Sequence, residues 1–296
     1  EQFSFLVLAT HRLLCIGQMA FSRAIESRKS SVERICYDPF AEQFLGARYK
    51  AGLFTRFLRD GIEKLIEARF AGHHYYVIAR TRYIDDFLQD QLLGTVQQVV
   101  ILGAGFDSRA YRFSDQLGNV AVFEVDHPAT SAEKQAKVHR ALASAKNNVV
   151  YVPVDFNTEV LAEELRNHGY QDDSRTVFLW EGVTPYLSAD AVDDVLQFVL
   201  SSSGSGSLLI FDYVVKSILE GSCDMRGARN EFEKMNRGNE PLVFGIEEGE
   251  AGAFLSARGF RDVVDVGSAE LTERYFANNP GRYIKPWWRL VHATVP

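Results

Sequence analysis

Hydrophobic residues recur at helical spacing through the first third of the chain. The pattern predicts helices over residues 3 to about 28, 53 to 70 and 75 to 92. A shorter helix is predicted to begin at Asp38, an N-cap residue followed by Pro39 at the first helical position, and to run to about Leu45. No strand is predicted before residue 98. We therefore expect residues 1–94 to form an N-terminal helical cap.

After residue 94, short apolar runs alternate with helical patterns. Strands are predicted near residues 98–102, 119–125, 149–154, 176–181, 206–212, 260–266 and 285–293. Such alternation of strands and helices is typical of an α/β protein with a doubly wound sheet. The charged, glycine-containing stretch at about 214–250 is predicted to be an insertion, a helix followed by a loop. Residues 95–296 are expected to form one domain around the sheet.

The sequence VVILGAGFDSR, residues 99–109, combines a buried strand with a glycine turn. Gly103 and Gly105 allow the backbone to approach a ligand closely, and Asp107 or Ser108 can cap the helix that follows. A dinucleotide-binding loop has a third glycine where this chain has Ser108, so a nicotinamide enzyme is disfavoured. A short glycine loop followed by an acidic residue instead favours S-adenosylmethionine (SAM).

Acidic residues fall at the predicted strand ends. They are Glu124, Asp126, Asp155, Glu181 and Asp212. The carboxyl ends of parallel strands meet at one edge of a sheet, where ligands of open α/β sheets bind. Asp126, 23 residues after Gly103, suits the ribose hydroxyls. Asp155 can accept from the adenine amine while the Phe156 amide donates to a ring nitrogen, and Glu181 can accept from the methionine ammonium. Each acid could also be a helix cap, but their succession behind the glycine loop favours a binding site.

Two arginines in the predicted helix 75–92 are candidates for a carboxylate. Arg80 and Arg82 are two positions apart, so they point to different sides of a helix. One guanidinium could hold the methionine carboxylate of SAM in bidentate fashion, while the other faces solvent or an acid. The spacing alone does not choose between them.

Composition narrows the class of protein. The 296 residues are 46% hydrophobic, which is enough for a full core, and the net charge of −7 argues against a nucleic-acid surface. Cys15, Cys36 and Cys223 are far apart and lack metal-ligand spacing, so we expect no disulfide, no metal site and a cytoplasmic location. The apolar start of the chain is interrupted by polar residues, which favours an amphipathic helix over a membrane span.

Five motifs between about Asp38 and Leu187 together resemble the leucine carboxyl methyltransferase family of SAM-dependent enzymes. They are ARTRYIDDFL, VVILGAGFDSRAYRF, FEVDHP, VPVDF and WEGVTPYL. The resemblance implies a class I methyltransferase fold with a Rossmann-like sheet, closed by the two antiparallel C-terminal strands around packing tryptophans at 287 and 288. It also implies cofactor-binding roles, listed here: Arg80 for the methionine carboxylate, Gly103 for the methionine portion, Asp126 for the ribose, Asp155 and Phe156 for the adenine and Glu181 for the amino end. SAM would leave as S-adenosylhomocysteine (SAH).

The family acts on the terminal leucine carboxylate of a phosphatase, on tRNA-modification intermediates, or on polyketide carboxylates and hydroxyls. We expect an O-methyltransferase of the small-molecule branch that acts on a carboxylate of a small molecule or peptide. Arg109 and Tyr186 are candidates for holding the acceptor, whereas a structural ion pair is expected for Arg112. A hydroxyl acceptor would need a base such as His127.

Two other classes remain open. The chain could be a nucleotide-binding oxidoreductase or sensor with a degenerate loop, although Ser108 and the acid after the third strand count against it. It could also be a catalytically silent SAM-binding protein, because binding residues persist when an acceptor pocket is lost. Neither a heptad pattern nor a marked apolar patch predicts an oligomer.

Overall fold

The computed structural model describes residues 17–141, 148–155, 159–225, 227–235, 241–279 and 281–296. Seven strands form one sheet in the order β3-β2-β1-β4-β5-β7-β6. Their bounds are β1 Gln98–Leu102, β2 Ala121–Asp126, β3 Val149–Pro153, β4 Thr176–Trp180, β5 Leu208–Val214, β6 Arg261–Val266 and β7 Trp288–Thr294. All seven lie within a few residues of the predicted strands. The first five are parallel, and β7 is antiparallel to both of its neighbours.

Helices cover both faces of this sheet. We number them in chain order: α1 (17–27), α2 Ala47–Gly52, α3 Arg56–Arg69, α4 His73–Leu92, α5 Arg109–Arg112, α6 Ser114–Leu117, α7 Pro128–Ala141, α8 Leu161–Asn167, α9 Ala189–Ser201, α10 Lys216–Leu219, α11 Ala228–Met235, α12 Ala251–Ser256 and α13 Ser268–Phe276. Two 3₁₀ helices, Ala41–Phe44 and Thr184–Tyr186, complete the set. A doubly wound Rossmann-like fold, expected from the alternation of strands and helices, is thus observed.

The sheet separates two hydrophobic clusters. Along β1, Val99 and Ile101 join the cluster that includes α1 and α4, while Val100 and Leu102 join the cluster on the opposite face. Every residue of β1 is buried, as it is in β4. Burial on both faces explains why these strands are uninterrupted apolar runs rather than alternating patterns.

Helices precede the sheet, as expected, and no strand precedes β1 within the described residues. The predicted helix 3–28 is described only from residue 17, where it runs to 27. The helix predicted over 53–70 is observed as α3, and Thr55 caps it by accepting from the amide of Leu58. The short helix α2 before it was not predicted. The predicted helix from Asp38 to about Leu45 is a single 3₁₀ turn.

Asp38 nevertheless starts that turn as expected. Its Oδ1 accepts from the amides of Phe40 and Ala41, at 3.1 and 3.0 Å. In the stretch predicted to be an insertion, α10 and α11 lie between Val215 and Ile246, which form an isolated bridge. The expected packing role of Trp287 and Trp288 agrees with their burial beside β5.

Candidate active site

The glycine loop lies at the carboxyl edge of the sheet, between β1 and α5. Gly103 has φ +65, and a Cβ there would clash with Cγ2 of Val183. The position therefore requires glycine both for its backbone conformation and for the close approach of the turn after β4. The helix start is capped by Asp107, whose Oδ1 accepts from the amide of Arg109 at 2.6 Å, and not by Ser108.

Asp126 ends β2 beside this loop. Its Oδ2 accepts from the amide of Gly105 at 2.5 Å, and its Oδ1 accepts from the amide of His127 at 2.7 Å. These two backbone donors fix the orientation of the carboxylate and join the glycine loop to the second strand. Asp155 follows β3, and its amide donates to Oε2 of Glu159 at 2.7 Å. Phe156 lies outside the described residues.

Glu181 follows β4 and lies between two arginines. Arg80 donates through Nε to Oε1 at 2.9 Å, and Arg109 donates through Nη1 to Oε2 at 2.6 Å. Burial raises the pKa of Glu181, but the positive charges of Arg109 and Arg80 outweigh it and lower the pKa to about 2. The carboxylate is therefore ionised at every physiological pH.

The two arginines of α4 have different surroundings. Arg80 is buried and also donates through Nη1 to Asp212 at 2.5 Å, while its Nη2 lies 3.9 Å from Sδ of Met19. Arg82 points outward and pairs with Asp86, one turn along the same helix, at 2.7 Å. Of the two, Arg80 is the one that the structure brings to Glu181.

Arg109 takes part in a connected set of ion pairs that we call the charged cluster. Its members are Arg23, Asp38, Arg80, Asp85, Asp107, Arg109, Arg112, Glu181 and Asp212. Arg109 is 2% exposed and pairs with Asp85, Asp107 and Glu181. Because three carboxylates surround its guanidinium, its charge is already compensated within the protein. Arg112 donates to both carboxylate oxygens of Asp85, at 2.7 and 2.8 Å, which is the structural ion pair expected for it.

Sequence analysis missed Arg23, which connects α1 to this cluster. Its Nε donates to Asp38 at 2.9 Å and its Nη2 donates to the carbonyl of Phe106, in the glycine loop, at 2.6 Å. Its charge also helps to lower the pKa of Glu181. No local motif marks this arginine, since its partners are 15 and 83 residues away.

Glu124 is not a ligand-facing acid at a strand end. It lies within β2, and its Oε2 is 2.7 Å from Nζ of the equally buried Lys134 on α7. Lys134 also donates to the carbonyl of Ala104, at 3.4 Å. Burial raises the pKa of Glu124 to about 7, although the charge of Lys134 opposes the shift. This pair therefore supports the glycine loop from within the protein.

Tyr186 and His127 were also predicted to act on an acceptor, and their local contacts are as follows. Tyr186 is 40% exposed, in a turn whose Pro185 carbonyl accepts from the amides of Val243 and Phe244. His127, the base expected for a hydroxyl acceptor, accepts through Nδ1 from the amide of Ala129 at 3.2 Å. This histidine therefore caps the start of α7.

One face of α4 carries Arg80 and the side chains one and two turns before it. His73, Tyr76 and Arg80 share that face by their spacing of three and four residues. Burial lowers the pKa of His73 well below 6.5, and the charges of Lys285 and Arg80 lower it further. Lys285 is 2% exposed, and its segment leads into β7 at the same edge of the sheet as Glu181.

Within the described residues, no group of three or more histidine, cysteine, aspartate or glutamate side chains could hold a metal ion. Cys36 and Cys223 are free thiols, while Cys15 lies outside these residues. In the same parts of the chain, no helix combines the length and apolar character needed to cross a bilayer.

The family model of leucine carboxyl methyltransferases matches residues 17–200, more than half of the chain. The chain belongs to the leucine carboxyl methyltransferase family. The match extends from α1 through α9, so it includes the glycine loop and every residue of the charged cluster except Asp212.

The names of similar proteins describe them as SAM-dependent methyltransferases. A protein of Frankia alni is 35% identical over 207 residues, which cover 68% of each chain. A protein of Mycolicibacterium gilvum is 30% identical over 272 residues, covering 89% of this chain and 86% of its own. A family of SAM-dependent methyltransferases therefore includes this chain, which removes the oxidoreductase alternative.

Solved structures agree on the fold of the methyltransferase. A DUF574 family protein of Streptomyces avermitilis superposes with a TM-score of 0.58 at 12% identity, covering 93% of this chain and 97% of its own. A Thermobifida fusca protein described as a methyltransferase superposes with a TM-score of 0.56 at 14% identity, covering 93% of this chain and 94% of its own. At these identities the superpositions establish the class I fold alone.

Proposed function

We propose that this protein is a SAM-dependent O-methyltransferase that methylates a carboxylate of a small molecule, such as a polyketide-like acid, or of a peptide. The observation that carries the choice of a carboxylate is the burial of Lys285, whose charge adds to burial and to that of Arg80 in lowering the pKa of His73. A buried ammonium group such as that of Lys285 favours an anionic acceptor. It also makes His73 a weak base, which disfavours a hydroxyl acceptor.

The residues at the sheet edge fit SAM. Glu181 is an ionised carboxylate in a buried place, which suits an ammonium group, and Arg80 presents an Nη2 group whose neighbour is a thioether sulfur 3.9 Å away. Asp126 offers carboxylate oxygens at the end of β2, where a ribose binds in such folds. We assign Arg80 and Glu181 to the amino-acid end, Gly103 and Gly105 to the methionine portion, and Asp126 to the ribose. Asp155 and Phe156 are assigned to the adenine.

When bound, SAM supplies a methyl group on a sulfonium, which is transferred by in-line displacement. The contribution of the protein is then to align the acceptor and exclude water. A carboxylate is ionised at neutral pH, so no proton has to be removed. Lys285 is our candidate for holding it, because it is buried and its segment leads into β7 at the same edge of the sheet as Glu181. Arg109 is not assigned this role, since it holds three acids of the protein together. Tyr186, which is 40% exposed, remains a candidate for contacting the acceptor.

A hydroxyl acceptor is the second candidate. His73 favours it in one respect, because its lowered pKa keeps the imidazole neutral and able to take a proton at pH 7. Because Lys285 and Arg80 also destabilise the protonated form that would result, we rank this candidate second.

Methyl-labelled SAM tests the proposal. The protein is incubated with pairs of compounds that share a skeleton and carry either a carboxyl or a hydroxyl group, and the products are treated with mild alkali. We expect labelled methanol, because alkali hydrolyses methyl esters and leaves methyl ethers intact. A product whose label survives alkali would overturn the carboxylate assignment. Glu181→Gln is the matched control, since it should lose both products equally.

A further inference from the structure

Asp212 is a fully buried carboxylate in β5 to which no cofactor role has been given. It is 0% exposed and lies two residues before the strand ends at Val214. Burying a single unpaired charge costs several kcal/mol, so a buried carboxylate needs hydrogen-bonding or charged partners. The partners of Asp212 therefore indicate what it does.

Two separate parts of the chain meet on this side chain. Oδ2 accepts from Nη1 of Arg80 at 2.5 Å and from the hydroxyl of Tyr76 at 3.3 Å. Oδ1 accepts from the amide of Gly182 at 2.6 Å. Asp212 thus joins α4 to the turn that follows β4, immediately beside Glu181.

The turn itself is shaped for this contact. Gly182 has φ +72, and a Cβ there would lie 3.6 Å from both Nη atoms of Arg80. The backbone after Glu181 therefore runs directly against the Arg80 guanidinium. Asp212 holds both by one carboxylate, so the separation of Arg80 and Glu181 depends on it.

We propose that Asp212 is a positioning residue for the amino-acid end of SAM. This inference rests on the proposed assignment of Arg80 and Glu181 to the carboxylate and ammonium groups of the cofactor. Asp212 supplies a second anion for Arg80, so that the guanidinium charge is shared and Glu181 remains able to bind an ammonium group. Without it, Arg80 is free to turn fully onto Glu181, and both groups lose their ligand-binding geometry.

The test compares two ligands that differ only where Asp212 acts. SAH carries the amino-acid part, and 5′-methylthioadenosine lacks it. We expect Asp212→Asn to weaken SAH binding by about 10- to 100-fold, the size of a lost charge-assisted hydrogen bond, when both affinities are measured by calorimetry. The affinity for 5′-methylthioadenosine should change by no more than about twofold, as for a distant site.

Asp265→Asn is the matched control. Asp265 in β6 also accepts from an arginine, Arg289, and from the hydroxyl of Tyr213, which belongs to the hydrophobic cluster on the face of the sheet opposite α4. This variant should leave the ratio of the two affinities unchanged. Equal losses of both ligands in Asp212→Asn, or no loss, would overturn the positioning role.

Arg80→Gln separates failure of this inference from failure of the proposed site. If Arg80→Gln lowers the ratio of SAH affinity to 5′-methylthioadenosine affinity and Asp212→Asn does not, the positioning role alone is wrong. If neither variant lowers it, the assignment of Arg80 is wrong as well. Should Asp212→Asn fail to fold, Tyr76→Phe decides. It removes only the longest bond to Asp212, and a selective loss of SAH affinity supports the role while an unchanged ratio contradicts it.

Discussion

Oε2 of Glu181 accepts a hydrogen bond from Nη1 of Arg109 at 2.6 Å, although the two residues are 72 positions apart. Together with Arg80, this contact makes Glu181 a stronger acid, with a pKa of about 2. The lowered pKa stabilises the folded state above the ordinary carboxyl range, and that contribution is lost as the pH falls toward 2.

We therefore expect the contribution of Glu181 to SAH binding to be constant between pH 5 and 8. Glu181→Gln should weaken SAH by about 10- to 100-fold, because the ammonium loses a charged partner. Calorimetry on both proteins across this range measures the difference in binding free energy. A difference that shrinks with a midpoint near pH 6 would show that Glu181 is not held ionised by its arginines.

The two arginines of α4 provide a matched pair of variants. Arg80→Gln should weaken SAH by about 10-fold or more, because its guanidinium lies in the buried cluster. Arg82→Gln should change the affinity by less than about twofold, since its exposed pair with Asp86 contributes little. Comparable losses in both variants would contradict the placement of Arg80 in the site.

Gly103 should tolerate no side chain. Gly103→Ala meets both a positive φ and a clash with Val183, so we expect the free energy of unfolding to fall by about 2–4 kcal/mol. Gly249→Ala is the control for backbone strain alone, because φ is +80 there and a Cβ would meet no atom within 4 Å. Adding Val183→Ala should recover part of the loss at Gly103. Equal losses in the two single variants by chemical denaturation would exclude the clash.

The buried pair of Glu124 and Lys134 predicts a stability that depends on pH. Lys134→Met leaves Glu124 without its cation, so its pKa should rise further above 7. A raised carboxyl pKa lowers stability between its unfolded and folded values, so the loss should be larger at pH 8 than at pH 5, by up to about 1.4 kcal/mol for the one pH unit above the wild-type pKa of about 7. Denaturation at both pH values measures this, and Glu124→Gln with Lys134→Met should restore stability at pH 8. A loss that is equal at both pH values would rule out ionisation of Glu124 as the cause.

Two of the three effects expected of Lys285 can be tested without knowing the acceptor. Lys285→Met removes the positive charge that lowers the pKa of His73, so that pKa should rise toward 6.5 in an NMR titration. SAH affinity should change by less than about twofold, while methylation of a carboxylate acceptor should fall by about 10-fold or more. Lys216→Met, on an exposed lysine, is the control. An unchanged pKa of His73 would place Lys285 outside the field that supports a carboxylate acceptor.

The fold was largely predictable because its signals are local. Apolar runs mark the central strands, and Gly103, Asp107 and Asp38 act in turns within a few residues of themselves. The charged cluster was only partly predictable. Arg80 and Glu181 lie in recognisable motifs, but Arg23 and Asp212 act through partners 83 and 132 residues away, which no local spacing reveals.

Glu124 shows the opposite difficulty. Its position two residues before Asp126 suggests a shared role, since both side chains lie on the same face of β2. The structure places one at the strand end beside the glycine loop and the other beneath that loop with Lys134. The sequence does not show that α7 covers Glu124 and leaves Asp126 at the strand end. Only the position of α7 in the structure separates the interior acid from the one that can face a ligand.

The charged cluster is assembled from α1, α4, the glycine loop, the turn after β4 and β5. Removing the helices before β1 would take away Arg23 and Arg80 and leave Glu181 and Asp212 as buried acids with fewer cations. The helices before β1 and the sheet should therefore melt in a single transition, and a fragment that begins at β1 should neither fold nor bind SAH. Because of this coupling, a rise in Tm on SAH binding would show that the helices before β1 and the sheet are folded together.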